Sequence, residues 1–139
     1  MKNFIYFLGS GIIFLLFPLL YCQHNVATNT TDFATQVSGE YQVHHLQVFD
    51  QMIDTSHDLV GIITITKTDA SHIKLGIDIH HQQDEPTPVE TLCILRAGQS
   101  KIQLVEAKTN DVLGYIEATE IHLNSSDSKG AKTEIIGKK

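Results

Sequence analysis

Apolar and polar residues alternate along most of the chain after residue 38. In the stretch IKLGIDI, the side chains of Ile73, Leu75, Ile77 and Ile79 fall on one face, and the residues between them fall on the other. Alternation with a period of two is typical of a β-strand that buries one face. The sequence therefore predicts β structure for this region.

The same pattern predicts about eight short strands separated by short turns. The expected strands cover residues 39–49, 59–67, 73–79, 89–96, 101–107, 112–117, 120–124 and 132–136. Successive short hairpins imply an antiparallel meander. Eight such strands can close into a small barrel, which either fills with its own side chains or holds one small ligand. A sandwich of two sheets is the alternative architecture.

The first predicted strand is irregular. Its alternation slips between Val43 and Leu46, which predicts a β-bulge at His44 and His45. The apolar residues that follow also recur at a helical spacing. A helical turn over residues 48–55 is therefore an alternative for the end of this strand.

The chain begins with an apolar segment that differs from everything after it. Lys2 precedes a run of apolar residues over 4–21, and a basic start followed by such a run is typical of a secretory signal. Residues 22–37 are rich in Thr, Asn and Gln, and they are expected to form a polar tether. The predicted organisation is thus a signal peptide or membrane anchor helix over 1–21, the tether, and one β domain over 38–139.

Charge argues against a nucleic-acid partner. The whole chain carries 10 Lys and Arg against 16 Asp and Glu, and its lysines are scattered. Binding to phosphates requires clustered cations, so the acidic balance is expected mainly to favour solubility. Cys93 lies in a predicted strand, where a single cysteine is expected to be a small buried apolar residue.

Three stretches of the β domain carry a resemblance to known proteins, namely SGEYQVHHLQVF, GIITITKTDASHIKLGIDI and VLGYIEATEIHLN. They resemble, in that order, the opening strand, one hairpin and a late strand pair of a group of small uncharacterised bacterial lipoproteins with lipocalin-like β domains. The resemblance covers residue 38 to the end. It implies a lipocalin-like barrel in the cell envelope and says little about activity, because a fold alone does not give function.

The lipoprotein resemblance also implies a role for Cys22 as the site of lipid attachment. Such signals carry Leu three residues before the modified cysteine, and Leu19 holds that position here. The two residues before that cysteine are usually small, whereas this chain has Leu20 and Tyr21. Two alternatives therefore stay open, namely an uncleaved anchor over residues 4–21 and ordinary cleavage to a free protein. All three interpretations export the domain to the periplasm or the cell surface.

Eight histidines raise the hypothesis of a metal site. Asp78 and His80 share one face of a predicted strand, and His122 could join them if the sheet brought it near. Asp78 and His80 are, however, expected on the polar outer face, and the chain has no Cys-x-x-Cys or His-x-x-x-His pattern. The sequence therefore predicts no native metal site and no cofactor, with these three residues as weak candidates.

The favoured function is a binding or interaction module, tethered to a membrane, that holds a small apolar ligand or a protein partner. A structural envelope protein without a ligand is the alternative. A hydrolase is the weakest hypothesis, because the sequence contains no arranged nucleophile, base and orienting group. No catalytic residue is predicted.

Overall fold

The structure is a computed structural model that describes residues 31–55 and 58–139. These residues form one short helix and nine strands. The helix is α1 (Phe33–Val37), and the strands are β1 (Gly39–Val48), β2 (Gln51–Ile53), β3 (Leu59–Lys67), β4 (His72–His81), β5 (Val89–Ala97), β6 (Ile102–Glu106), β7 (Val112–Glu117), β8 (Glu120–Ser126) and β9 (Lys132–Lys138).

The strands form one antiparallel sheet that closes on itself. Each strand from β3 to β8 pairs with the next in the chain, β1 pairs with β3, and β9 returns to pair with β1. Eight strands thus make a closed barrel, and β2 adds to the edge of β1 as an extra strand. The predicted barrel is confirmed, and the alternative of a two-sheet sandwich is wrong. Closure pairs β1 with β9, so that the eight barrel strands leave no free edge of the kind that favours aggregation, while β2 pairs on one side only.

Both ends of each of the eight predicted strands lie within two residues of the observed ends. The predicted bulge is confirmed, because the pairing of β1 with β9 shifts register between Val43 and His45. The alternative of a helical turn over residues 48–55 is wrong, since β1 turns at Phe49 and Asp50 into β2.

Helix α1 corrects the predicted end of the tether. Residues 33–37 do not continue a polar linker; they form a helical turn that closes one end of the barrel. Ala34 and Val37 are buried there, and the Tyr41 hydroxyl donates a hydrogen bond to the Val37 carbonyl at 2.7 Å. The packed part of the chain therefore begins before the predicted boundary at residue 38.

The barrel interior is filled by branched aliphatic side chains next to α1. Ile63, Ile73 and Leu104 are each at most marginally exposed, and Cys93 lies fully buried among them, as the sequence predicts. Burial, with a smaller contribution from the charge of Glu106, raises the pKa of the Cys93 thiol to about 11. A thiol in this setting packs as a small apolar group and stays protonated at neutral pH.

The predicted signal or anchor segment over residues 1–21 lies outside the described residues, as does Cys22. Within the described part of the chain, no helix has the length and apolar character needed to cross a membrane.

Candidate functional site at the open end of the barrel

The two ends of the barrel are built differently. One end carries α1, the β3–β4, β5–β6 and β7–β8 turns and the C-terminus, and it is called the plugged end here. The Ala34 amide bonds the Ala70 carbonyl, and the Lys139 ammonium bonds the Gln36 and Ser38 carbonyls. The opposite end, called the open end, carries the β1–β2, β4–β5, β6–β7 and β8–β9 connections.

Burial of the inward-facing side chains falls from the plugged end to the open end. Along β4, Ile73 and Leu75 are fully buried, whereas Ile77 and Ile79 are only partly covered. Along β5, burial falls in the same direction and ends at Val89, which is 72% exposed. The barrel is therefore solid beside α1 and has a partly apolar mouth at the open end.

Large apolar side chains are exposed around this mouth. Five of them form a group that is called the apolar rim below: Phe49, Met52, Ile53, Val89 and Val112. Three belong to the β1–β2 hairpin, and the others begin β5 and β7. Exposed apolar residues are ordinary when scattered, but several at one end of a molecule mark a candidate contact surface.

The tip of the β1–β2 hairpin carries backbone strain. Phe49 and Asp50 have φ angles of 49° and 63°, the left-handed region that a two-residue hairpin turn requires. Asn and Gly adopt this region readily, whereas a bulky residue such as Phe pays a conformational penalty there. The Asp50 amide bonds the Lys132 carbonyl at 2.9 Å, which ties the tip to β9. The geometry of the turn therefore does not explain why a Phe occupies position 49.

A broad cleft lies beside the apolar rim. It has a volume of about 920 Å³, is open to solvent, and carries mixed polar and apolar groups. Its lining is Gln47, Asp50, Asp111, Val112, Leu113, Asn124, Ser125, Ser126, Lys132, Thr133 and Glu134. A second open cleft of about 190 Å³ shares Val112 and Asn124 with it on the outer wall. Both concavities can accept a partner from outside, and neither is an enclosed ligand chamber.

Charge is divided unevenly between the two ends. With His neutral, the open half of the barrel has eleven Asp and Glu against three Lys, a formal charge of −8, and the plugged half has five against six, or +1. The acidic residues of the open half are Asp50, Asp54, Asp58, Asp78, Asp84, Glu85, Glu90, Glu106, Asp111, Asp127 and Glu134. The open end therefore combines exposed apolar groups with a negative field.

The weak metal candidates do not come together. His80 Nδ1 lies 2.9 Å from Asp78 Oδ1 on the outer face of β4, and both side chains are more than four-fifths covered. His122 lies on β8, four strands away in either direction around the barrel. Among residues 31–55 and 58–139, no three His, Cys, Asp or Glu side chains form a group that could hold a metal ion.

His122 instead belongs to an aromatic pair on the outer wall. Its ring stacks on Tyr115 with the centroids 4.7 Å apart, and Lys101 Nζ lies 4.0 Å from the centre of the Tyr115 ring. Glu120 Oε2 lies 3.7 Å from His122 Nε2. Cross-strand pairs of this kind stabilise a sheet, and they account for this histidine without a ligand.

One cluster contains the residue types of a hydrolytic triad but not its geometry. In the β3–β4 turn, His72 Nδ1 lies 2.9 Å from Asp69 Oδ1 and 3.2 Å from the Ser71 hydroxyl. A relay needs the aspartate and the serine on different ring nitrogens, whereas here both meet the same one. Asp69 also accepts the Ser71 and His72 amides. These bonds, the Ser71 amide foremost, lower the pKa of Asp69 to about 2 and brace the turn.

Comparison with known proteins gives no family. Searches with family models and among curated proteins found no match. Among solved structures, the chain is similar to a de novo designed fluorescence-activating β-barrel, with 10% sequence identity and a TM-score of 0.48. The similarity covers 78% of this chain and 97% of the designed one. The barrel assignment itself rests on the strand pairing of this chain.

The sequence did not predict the apolar rim, because its members are far apart in the chain. Only the alternate direction of successive strands brings them to one end. The sequence nevertheless contains a signal for the rim. Successive strands of a meander run in opposite directions, so the residues at every second turn lie at the same end of the sheet. Applied to this chain, that rule places Phe49, Val89 and Val112 together.

Proposed function

We propose that this protein is an exported, membrane-tethered binding module that holds its ligand or partner at the open end of the barrel. The observation that carries the proposal is the contrast between the two ends. One end is closed by α1 and is the end at which the chain enters the barrel. The other has a half-open apolar mouth with exposed large side chains, and such surfaces are typical of contact sites.

The same contrast supports a position at the mouth for a small apolar ligand. Beside α1 the interior is filled by side chains such as Ile73 and Leu104. A ligand would therefore contact the partly covered, inward-facing residues near the open end, among them Ile77 and Ile79. This supports binding at the mouth over binding deep within the barrel.

Native mass spectrometry of the protein purified from its source tests the binding function. We expect a co-purifying molecule or partner that is retained by the wild type and reduced in an Ile79→Ser variant. Ile62→Ser is the matched control, because Ile62 is partly covered like Ile79 but faces outward on the neighbouring strand. Purified wild-type protein that carries nothing, and that captures nothing from an envelope extract, would overturn the proposal.

Intact-mass analysis of the membrane-extracted protein tests the anchorage independently. Lipidation predicts a chain that begins at Cys22 and carries added acyl mass, and it predicts release of the Cys22→Ser variant from the membrane. A chain that begins at Met1 would instead indicate an uncleaved anchor, and a later unmodified start would indicate ordinary cleavage. Either result would remove the lipid anchor from the proposal and leave the binding test intact.

A further inference from the structure

Apolar and acidic residues are adjacent in the chain at four places on the open end. An exposed apolar residue can contact an apolar partner group, and a carboxylate beside it can contact a cation at the same time. The four adjacent pairs are Phe49 with Asp50, Ile53 with Asp54, Val89 with Glu90, and Asp111 with Val112. Asp50, Asp111 and Val112 line the same cleft beside the apolar rim, so the pairs with Phe49 and Val112 offer both kinds of contact there. Glu90, by contrast, points away from Val89 because the two are neighbours in β5, and it pairs with Lys74.

The cations of the chain do little to neutralise this end. Of the lysine ion pairs among the described residues, Lys67–Asp32 and Lys138–Glu120 lie in the plugged half. Lys74 of the plugged half pairs with Glu90, one of the eleven carboxylates of the open half. The open half keeps its formal charge of −8, from eleven carboxylates against three lysines, while the plugged half is close to neutral. A negative field of this kind attracts cations and repels a second acidic copy of the chain.

The β1–β2 hairpin offers a backbone edge as well. Among the described residues, β2 pairs with β1 only, which leaves its other edge without a strand. An extended polypeptide can add to such an edge, with main-chain hydrogen bonds for affinity and alternate side chains for specificity. Met52 and Ile53 on this strand are exposed to such a partner.

From these three observations we propose that the open end docks an extended polypeptide segment that carries both basic and apolar side chains. The apolar rim contacts its apolar groups, and the carboxylates beside the rim contact its lysines or arginines. This inference rests on the proposed binding function and specifies the chemistry of the partner. The apolar rim alone would suit an apolar small molecule equally well. The negative charge beside the rim favours a polypeptide with basic side chains.

Fluorescence anisotropy with synthetic peptides tests the inference. The full chain is placed in phosphatidylcholine nanodiscs, empty discs serve as the blank, and the probe is a labelled decapeptide of alternating lysine and leucine. We expect saturable binding that weakens at least about tenfold as the salt concentration rises from about 0.05 M to about 0.5 M, because screening shortens the reach of the charges. Decapeptides of alternating glutamate and leucine, or lysine and serine, should bind at least about tenfold more weakly than the probe.

Two matched pairs of variants locate the binding. The double variant D50N/D111N should weaken binding of the lysine–leucine peptide about fivefold, as expected for two exposed charges. The control E40Q/E117Q removes the same charge from exposed residues of the plugged half and should leave binding unchanged. Phe49→Asn should weaken binding but raise the Tm, because Asn suits the left-handed turn position. That combination separates a lost contact from a lost fold.

Several outcomes would overturn the inference. Equal binding of the glutamate–leucine peptide would show that the rim selects apolar character alone, and equal effects of the two double variants would show a diffuse electrostatic attraction. Chemical cross-linking that joins wild-type chains through the rim, but not Phe49→Asn chains, would identify a second copy as the occupant. Absence of peptide binding, with an apolar molecule still detected by native mass spectrometry, would refute this inference and keep the proposed function.

Discussion

Gly114 occupies a position in β7 where no side chain fits. A Cβ at this residue would lie 1.9 Å from the backbone oxygen of His122 on the neighbouring strand, so that β7 and β8 would have to separate. We expect Gly114→Ala to lower the free energy of unfolding by at least ~2 kcal/mol. Gly76→Ala is the control, since its Cβ would meet nothing nearer than 3.8 Å. Urea unfolding measures both, and equal stabilities of the two variants would contradict the steric account.

Asp32 connects the start of α1 to the barrel wall, and its charge makes this contact depend on pH. Its carboxylate accepts bonds from Lys67 and from the Thr35 amide and hydroxyl. These bonds, that with Lys67 foremost, lower the pKa of Asp32 from 3.8 to about 2. A lowered pKa stabilises the fold above the ordinary pKa, and this stabilisation is lost as the pH falls through the folded-state value.

Thermal unfolding of wild type and Asp32→Asn tests this dependence. Asn keeps the cap acceptor and loses the charge, so the wild type should have the higher Tm at pH 7. The difference should shrink as the pH falls below about 4 and vanish near about pH 2. In a Lys67→Ala background the same substitution should have a smaller effect. A Tm difference that does not change with pH would show that the charge contributes nothing.

Element by element, the sequence predicted the strands that bury one face and missed the elements that do not. β3 and β7 have the predicted bounds because in each of them buried residues alternate with partly covered ones through the middle of the strand. β2 has three exposed residues and no buried face, so no alternation could indicate it. α1 spans little more than one turn, and its helical form depends on burying Ala34 and Val37 against the barrel, which is a tertiary effect.

The bulge in β1 makes a prediction about deletions. Val43 pairs with Gly137 and His45 pairs with Ile136, so the extra residue is His44, which is exposed. Deleting it should restore regular alternation and give a protein that still folds, with at most a modest fall in Tm. Deleting Thr64 from the regular strand β3 would turn the residues that follow it to the wrong face, and we expect that variant not to fold. Circular dichroism distinguishes these outcomes. If neither deletion variant folds, the bulge itself is required for folding.

At the scale of the whole molecule, the sequence indicated a barrel but not the difference between its ends. Alternation says which side chains face inward, and it says nothing about which of them α1 covers. His122 and His80 could be placed on opposite walls only after closure through β1 and β9 fixed the strand order. The uneven charge distribution likewise appears only when strand direction assigns each carboxylate to an end.

The difference between the ends gives a prediction about orientation. Nine residues after the proposed lipid site at Cys22, the chain reaches Thr31 beside α1, and nine residues span at most about 30 Å. A ten-residue strand at a typical barrel tilt adds about 25 Å between the plugged end and the open end. The proposed anchorage would therefore keep the plugged end within about 30 Å of the bilayer and allow the open end to reach about 55 Å from it. We expect the open end to lie farther from the bilayer on average.

Fluorescent labels at the two ends test this orientation. Thr119→Cys lies in an exposed turn at the plugged end, and Ser128→Cys lies in an exposed turn at the open end, while buried Cys93 should stay unlabelled. A nitroxide quencher carried on lipid headgroups should quench the label at residue 119 more strongly than the label at residue 128. In the Cys22→Ser background neither label should be quenched. Stronger quenching at residue 128 would mean that the apolar rim faces the bilayer. The rim would then contact lipid, and the proposed polypeptide partner would be wrong.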